Sequence, residues 1–184
     1  MAESGIEKER VILAGVDLGD DMDFDQSMKE LSGLADACYM ETGGVLTQKM
    51  DRPDKTFCLG RGKAEELKEF AERIEADMIL FDHTLTPSQL RNLQQIIGKP
   101  IMDRTALILE IFASRARTRE ARLQVETARL QYLLPRLVGM HAALSRQGGG
   151  SGLANKGAGE KKLELDRRRI EDRLARLRRE FFQF

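Results

Sequence analysis

Over residues 1–104, short apolar runs alternate with stretches whose apolar positions recur at helical spacing. Val11-Ile12-Leu13-Ala14-Gly15-Val16 is such a run, closed by Asp17, and has the form of a buried strand. The acidic segment Asp17 to Asp25 predicts a loop leading into a helix that carries Met28, Leu31, Leu34 and Ala35 on one face. Cys38 to Met50 predicts a strand, an interruption at Gly43-Gly44 and a second extended piece. After the turn Arg52-Pro53-Asp54 a further strand is expected over Thr56-Phe57-Cys58-Leu59. Gly60-Arg61-Gly62-Lys63 opens a helix with Leu67, Phe70, Ala71 and Ile74 on one side, and Met78-Ile79-Leu80-Phe81 is another buried strand. Thr86 and Pro87 supply the N-cap and first position of a helix bearing Leu90, Leu93 and Ile97. Gly98-Lys99-Pro100 stops that helix before a last short strand at Ile101-Met102. This alternation predicts a small parallel α/β subdomain over 1–104.

Beyond Asp103 the period changes. From Thr105 to about Ser145 one long helix is expected, with Leu123, Leu130, Leu137 and Leu144 spaced by seven and a kink or stop at Pro135. Leu163, Ile170, Leu174, Leu177, Phe181 and Phe184 continue a heptad seam in a second helix. Between them lies a glycine-rich stretch, 147–160. The expected architecture over 105–184 is therefore a long antiparallel helical hairpin, a coiled-coil-like arm with a Gly-rich tip loop. Its second helix would reach roughly 35–40 Å at about 1.5 Å per residue.

Charge sharpens this division. The chain has 30 basic and 30 acidic residues, but 1–104 carries 13 against 21 and 105–184 carries 17 against 9, with 14 of those 17 being arginine. A basic half joined to an acidic one predicts directed docking on a polyanion. Cys38 and Cys58 form no CxxC pair and read as small buried hydrophobes in a reducing compartment. With no signal-peptide pattern and no apolar stretch of about 20 residues, a cytoplasmic protein without membrane contact is expected.

The glycine stretch is the leading candidate site. Gly148, Gly149, Gly150, Gly152, Gly157 and Gly159 would let backbone N–H groups approach a phosphate or base closely. Arg146, Asn155, Lys156, Lys161 and Lys162 line it, and Arg167 and Arg168 follow on the second helix, so these residues form the expected RNA-binding set. The adjacent Arg167, Arg168 and Arg169 splay over about 200° and cannot all serve a single partner, so one or two are expected to pair with Glu164, Asp166 or Asp172 and the others to face solvent or RNA. Arg115, Arg117, Arg119, Arg122 and Arg129 give the first helix a basic side near the base of the hairpin. Gly60, Arg61, Gly62 and Lys63 resemble half a phosphate loop and form a second, nucleotide-binding candidate, although Ala64 stands where Ser or Thr would hold Mg²⁺. His83 and His141 read as structural or surface histidines, and Asp103-Arg104-Thr105 as a capping signal at a structural joint. No nucleophile–base pair and no metal constellation is apparent, so no catalytic residue or metal ligand is assigned.

Several of these segments together resemble the N-terminal region of the HflX family, bacterial GTPases that bind ribosomes. They are Leu59-Gly60-Arg61-Gly62-Lys63, Phe81-Asp82-His83-Thr84-Leu85-Thr86-Pro87-Ser88-Gln89 with Arg91-Asn92-Leu93, and Asp103-Arg104-Thr105 through Ile108-Leu109-Glu110-Ile111-Phe112-Ala113 to Arg115-Ala116. Gln124-Val125-Glu126, Leu134-Pro135-Arg136-Leu137, the glycine stretch ending Gly157-Ala158-Gly159-Glu160, Leu163-Glu164 and Asp166-Arg167-Arg168 complete the match, which covers nearly the whole chain. The resemblance implies an arm that enters the large ribosomal subunit, with its glycine loop near the peptidyl transferase centre, in ribosome splitting or rescue. The implied partners are the large subunit and its 23S-type rRNA. The family loop reads close to GGIGTRGPGE, whereas Lys156 and Ala158 here replace Arg and Pro. A lysine keeps the charge but lacks the planar fork that stacks on bases. The family's GTPase domain, which holds GTP and Mg²⁺, would follow Phe184, and no cofactor is expected in this chain. Two alternatives remain open on the residues: an ATP- or GTP-binding α/β domain acting on RNA, and a coiled-coil module that self-associates through Phe181, Phe182 and Phe184.

Overall fold

The computed structural model describes residues 8–19, 23–146 and 153–181, with side chains over 8–19, 23–137 and 161–180. The elements are β1 (Glu9–Asp17), α1 (Phe24–Ala37), β2 (Met40–Lys49), α2 (Arg61–Arg73), β3 (Met78–Phe81), α3 (Pro87–Ile97), β4 (Ile101–Asp103), α4 (Arg104–Arg115), α5 (Arg119–Arg146) and α6 (Leu153–Phe181). They divide into two compact units, one of Met1–Leu85 with Gln89–Ile111 and one of Thr86–Ser88 with Phe112–Phe184.

The first unit is a four-stranded, fully parallel sheet in the order β2-β1-β3-β4. β1 shows why the sequence run is continuously apolar. Ile12, Ala14 and Val16 join the core made with Leu67 and Ala71 of α2 and Leu93 and Ile97 of α3. Val11 and Leu13 join the opposite core, made with Met28, Leu31 and Ala35 of α1 and Leu107 of α4. Successive side chains thus enter two cores, and each fully buried Leu or Ile contributes about 1.5–3 kcal/mol.

The interruption expected at Gly43-Gly44 is a bulge inside a single strand. Val11 pairs with Thr42 and Ile12 with Gly44, so Gly43 is the extra residue. A Cβ at Gly44 would lie 2.3 Å from Cζ of Phe70, so α2 approaches the strand where no side chain fits. All three helix-to-strand connections pass through a left-handed residue: Tyr39 (φ 60°), Glu75 (φ 54°) and Gly98 (φ 72°).

The strand expected over 56–59 does not form. Asp54 Oδ1 accepts the N–H groups of Thr56 and Phe57 at 2.7 and 2.8 Å, which occupies them locally, and only the Asp54–Cys58 bridge remains. Gln89 and Asn92, one turn apart on α3, pin this loop by donating to the carbonyls of Asp54 (2.7 Å) and Thr56 (3.0 Å). Burial, then Asp54, pushes the Cys58 thiol up to about 11.

The loops that leave β3 and β4 are latched together. Asp103 is 1% exposed, and its carboxylate accepts the N–H of Leu85 at 3.0 Å and of Ala106 at 2.9 Å, so it caps α4 as its sequence position predicts. Thr84 and Thr105 hydroxyls share a 2.8 Å hydrogen bond. Arg104 donates to Asp82 Oδ1 (2.6 Å), Ser27 Oγ (2.8 Å) and Glu30 Oε2 (2.7 Å), and Ser27 Oγ donates to Asp82 Oδ2 (2.8 Å). Burial lowers the Arg104 pKa, but hydrogen bonds to Asp82 and Glu30 outweigh it and the pKa is raised.

In the second unit, the single long helix expected from Thr105 is broken at Ala116-Arg117-Thr118. Thr118 causes the break: its Oγ1 accepts the N–H of Ala121 (3.1 Å) as an N-cap and its carbonyl accepts that of Arg122 (3.1 Å). Arg122 Nε closes the turn on the carbonyl of Ala116 at 3.3 Å. α5 does not end at Pro135 but continues through it. Pro135 and Gln131 are both exposed, so the carbonyl that loses its donor faces water. α5 and α6 pack together, with Leu123, Leu174 and Leu177 of the predicted seam buried. Arg173 crosses from α6 to Glu126 through two hydrogen bonds of 2.6 and 2.7 Å.

Two outcomes follow. Asp103→Ala removes the carboxylate that accepts the Leu85 and Ala106 amides and uncaps α4, and should lower stability by about 2–4 kcal/mol, read as a lower urea midpoint at unchanged slope. Glu126→Gln should cost about 0.5–1 kcal/mol at neutral pH. Hydrogen bonding to Arg173 holds the Glu126 carboxyl below its ordinary 4.5. That stability is therefore present above 4.5 and lost as pH falls through the lowered value, so the melting curves of the two proteins should converge in acid.

Candidate nucleic-acid interface

Of the expected RNA-binding set, Gly148, Gly149, Gly150 and Gly152 lie outside the described residues, as do Phe182 and Phe184 of the expected self-association patch. Arg146 is the last residue of α5. Asn155, Lys156, Gly157 and Gly159 are in α6, so the loop expected over 147–160 has become helix from Leu153 onward. Only two glycines fall in that part, each costing about 1 kcal/mol relative to Ala, while Ala154, Ala158, Glu160, Lys161 and Lys162 favour the helix. Lys161 and Lys162 are exposed on it.

Arg167 and Arg168 are placed differently from free RNA ligands. Arg167 clasps Glu164 with Nε and Nη2, both at 2.9 Å, and reaches Glu171 with Nη1 at 2.7 Å. Arg168 Nε donates to the same Glu164 at 2.9 Å, and Arg169 reaches Asp166 at 3.3 Å. Hydrogen bonds from Arg167, then Arg168, hold the Glu164 carboxyl down at about 2. The pairing expected with Glu164 and Asp166 thus forms, at the i,i+3 and i,i+4 spacing that makes residues neighbours on a helix face. Arg136 is also engaged, its guanidinium 3.3 Å from the centroid of the Tyr132 ring.

A different set of arginines is exposed. Arg115, Arg117 and Arg122 surround the break between α4 and α5, and Arg176, Arg178 and Arg179 lie in the last turns of α6. Among the described residues none of these six has a carboxylate within salt-bridge distance. Phe112, one turn before Arg115, is 57% exposed.

The nucleotide-binding candidate is occupied by its own surroundings. Gly60 N–H donates to Gln48 Oε1 (2.8 Å), Arg61 to Glu65 (3.2 Å) and Lys63 to Glu66 (2.9 Å), while Gly62 lies within α2. These contacts hold a strand-to-helix turn and set the Arg61 and Lys63 side chains against carboxylates of their own helix. Lys63 and Glu66 instead line a groove of about 450 Å³ between β2 and α2. His83 lines a second cleft of about 410 Å³ with Asp82, Ser27 and Phe24, and its Nδ1 is buried without a hydrogen-bond partner. Among the described residues there is no cluster able to hold a metal, and no helix is long and apolar enough to cross a membrane.

Comparison with known proteins is consistent along the chain. The family model described as the GTP-binding GTPase N-terminal region matches residues 25–113, and that of the GTP-binding GTPase middle region matches 115–183. GTPase HflX of Alkalihalophilus pseudofirmus is 47% identical over 173 residues, 94% of this chain and 40% of that protein. GTPase HflX of Escherichia coli is 40% identical over 169 residues, 92% of this chain and 39% of that protein. The chain thus spans about 40% of the length of the curated relatives it matches. Among solved structures, SsGBP in complex with GDP shares the fold with a TM-score of 0.60 at 19% identity, over 95% of this chain and 46% of that one. Two adjoining family regions and relatives aligned over more than nine-tenths of its length place this chain in the HflX family, as its N-terminal part.

Proposed function

We propose that this chain is the ribosome-docking part of an HflX-type GTPase and binds the rRNA of the large subunit through the end of a helical hairpin. The observation that carries the reading is the pair α5 and α6, packed side by side with only residues 147–152 between their ends. Those residues span at most about 25 Å extended, whereas α5 is about 42 Å long, so the chain cannot return to the start of α5 and the helices run antiparallel. The sequence joining the two helices contains Gly148, Gly149, Gly150 and Gly152 and is flanked by Arg146, Lys156, Lys161 and Lys162.

Glycine backbone at such a turn supplies donors close to phosphate or base edges, and the lysines supply charge without a fixed fork. Arg167 and Arg168 have their charge opposed by Glu164 and Glu171, so the contact rests on the turn and the lysines rather than on them. GTP and Mg²⁺ chemistry belongs, on this reading, to the part of the relatives that this chain does not span. The acidic first unit limits indiscriminate binding to polyanions.

The test is co-sedimentation with purified large ribosomal subunits over a salt series. The intact chain should bind, with affinity falling as salt rises, and deletion of residues 148–151 should weaken binding at least tenfold, about 1.4 kcal/mol. Absence of binding by the intact chain, or indifference to the deletion, would refute the reading.

A further inference from the structure

We infer that the opposite end of the hairpin is a second RNA-backbone contact, made by the exposed arginines around the α4–α5 break and the last turns of α6. The inference rests on the reading that the second unit docks on RNA, and it moves the main charge contact away from the glycine turn.

Pairing distinguishes two groups among the arginines of this unit. Those along the middle of α6 face carboxylates of their own helix or of α5: Arg167 with Glu164 and Glu171, Arg168 with Glu164, Arg169 with Asp166 and Arg173 with Glu126. A phosphate approaching them must compete with a carboxylate already in place. Arg115, Arg117, Arg122, Arg176, Arg178 and Arg179 meet no such competition among the described residues.

The two segments of the second group converge. Glu126 and Arg173 are bonded and hence level. In an antiparallel pair a step back along α5 is a step forward along α6, so Arg122 stands level with Leu177, between Arg176 and Arg178. The break at Ala116-Arg117-Thr118 turns the chain at this level, and Arg122 Nε fixes that turn by its bond to the Ala116 carbonyl. Residues 115–122 contain four arginines against one acid, Glu120. Phe112 adds an exposed ring on which a base can stack. One isolated aromatic with clustered guanidinium groups suits a structured RNA better than a lipid surface, which calls for a continuous apolar stripe.

The test compares salt dependence of binding to purified large subunits for three variants. Arg115→Gln/Arg117→Gln/Arg178→Gln/Arg179→Gln should make the slope of log K against log salt shallower by about 3–3.5, at about 0.7–0.9 for each of the four phosphates no longer neutralised. The same four positions changed to Lys should keep the slope near that of the intact chain, which also excludes misfolding as the cause. Arg167→Gln/Arg168→Gln should leave the slope nearly unchanged. Equal slopes for the Gln quadruple and the intact chain would overturn the inference while leaving the proposed function standing. So would an equal fall in slope for the Arg167/Arg168 pair, or a Gln quadruple that loses binding to phosphatidylserine vesicles but not to subunits. Failure of the intact chain to bind subunits at all would remove both.

Discussion

The carboxylate of Asp103 is the contact on which the first unit closes. It is the most deeply buried charged side chain among the described residues, and it accepts backbone N–H groups from two segments, the loop after β3 and the first turn of α4. A buried charge persists only where its hydrogen-bonding capacity is met, so this one dictates where both loops lie. Arg104, the next residue, extends the constraint to α1 through Ser27 and Glu30 and to the end of β3 through Asp82. The segments that carry the family resemblance around 82–85 and 103–105 thus support one another.

Arginine does two kinds of work in the second unit. Paired with glutamate, it stiffens a helix that is otherwise strongly polar, and in Arg173 it joins two helices whose apolar seam is narrow. Among the described residues, arginines with no carboxylate within salt-bridge distance lie around the start of α5 and in the last turns of α6. Composition registers only the total, which is why counts of basic residues locate a charged half but not the surface that can bind.

The elements of the first unit were legible because their periods differ. Three apolar runs became strands, as did the interrupted segment before Met50, and the helical faces of Met28, Leu31 and Ala35 or Leu67 and Ala71 are the buried ones. Asp103 was readable as a cap because an acid before an apolar run has that local use. The segment 56–59 misled because its strand-like composition says nothing of Asp54, whose side chain claims two of its amides. The break at 116–118 was hidden by continuous helix formers on both sides, with Thr118 the only local signal. At Leu153 the glycines drew attention away from the alanines and lysines between them, and a long helix tolerates two glycines. The site was less legible than the fold. Spacing named the basic residues, but which of them are neutralised depends on rotamers and on a neighbour 47 positions away, as for Arg173 and Glu126.

The clamp of Arg167 and Arg168 on Glu164 has a consequence for conditions. With that carboxyl held near 2, its charge does not respond to the acidity of any ordinary medium. His141 is the sole residue in 112–184 of a type that titrates near neutrality, and both cysteines lie outside that range. The second unit therefore presents an almost fixed charge from mildly acidic to mildly alkaline surroundings. For the docking proposed above, ionic strength rather than proton concentration would then set how strongly that charge acts on a polyanion.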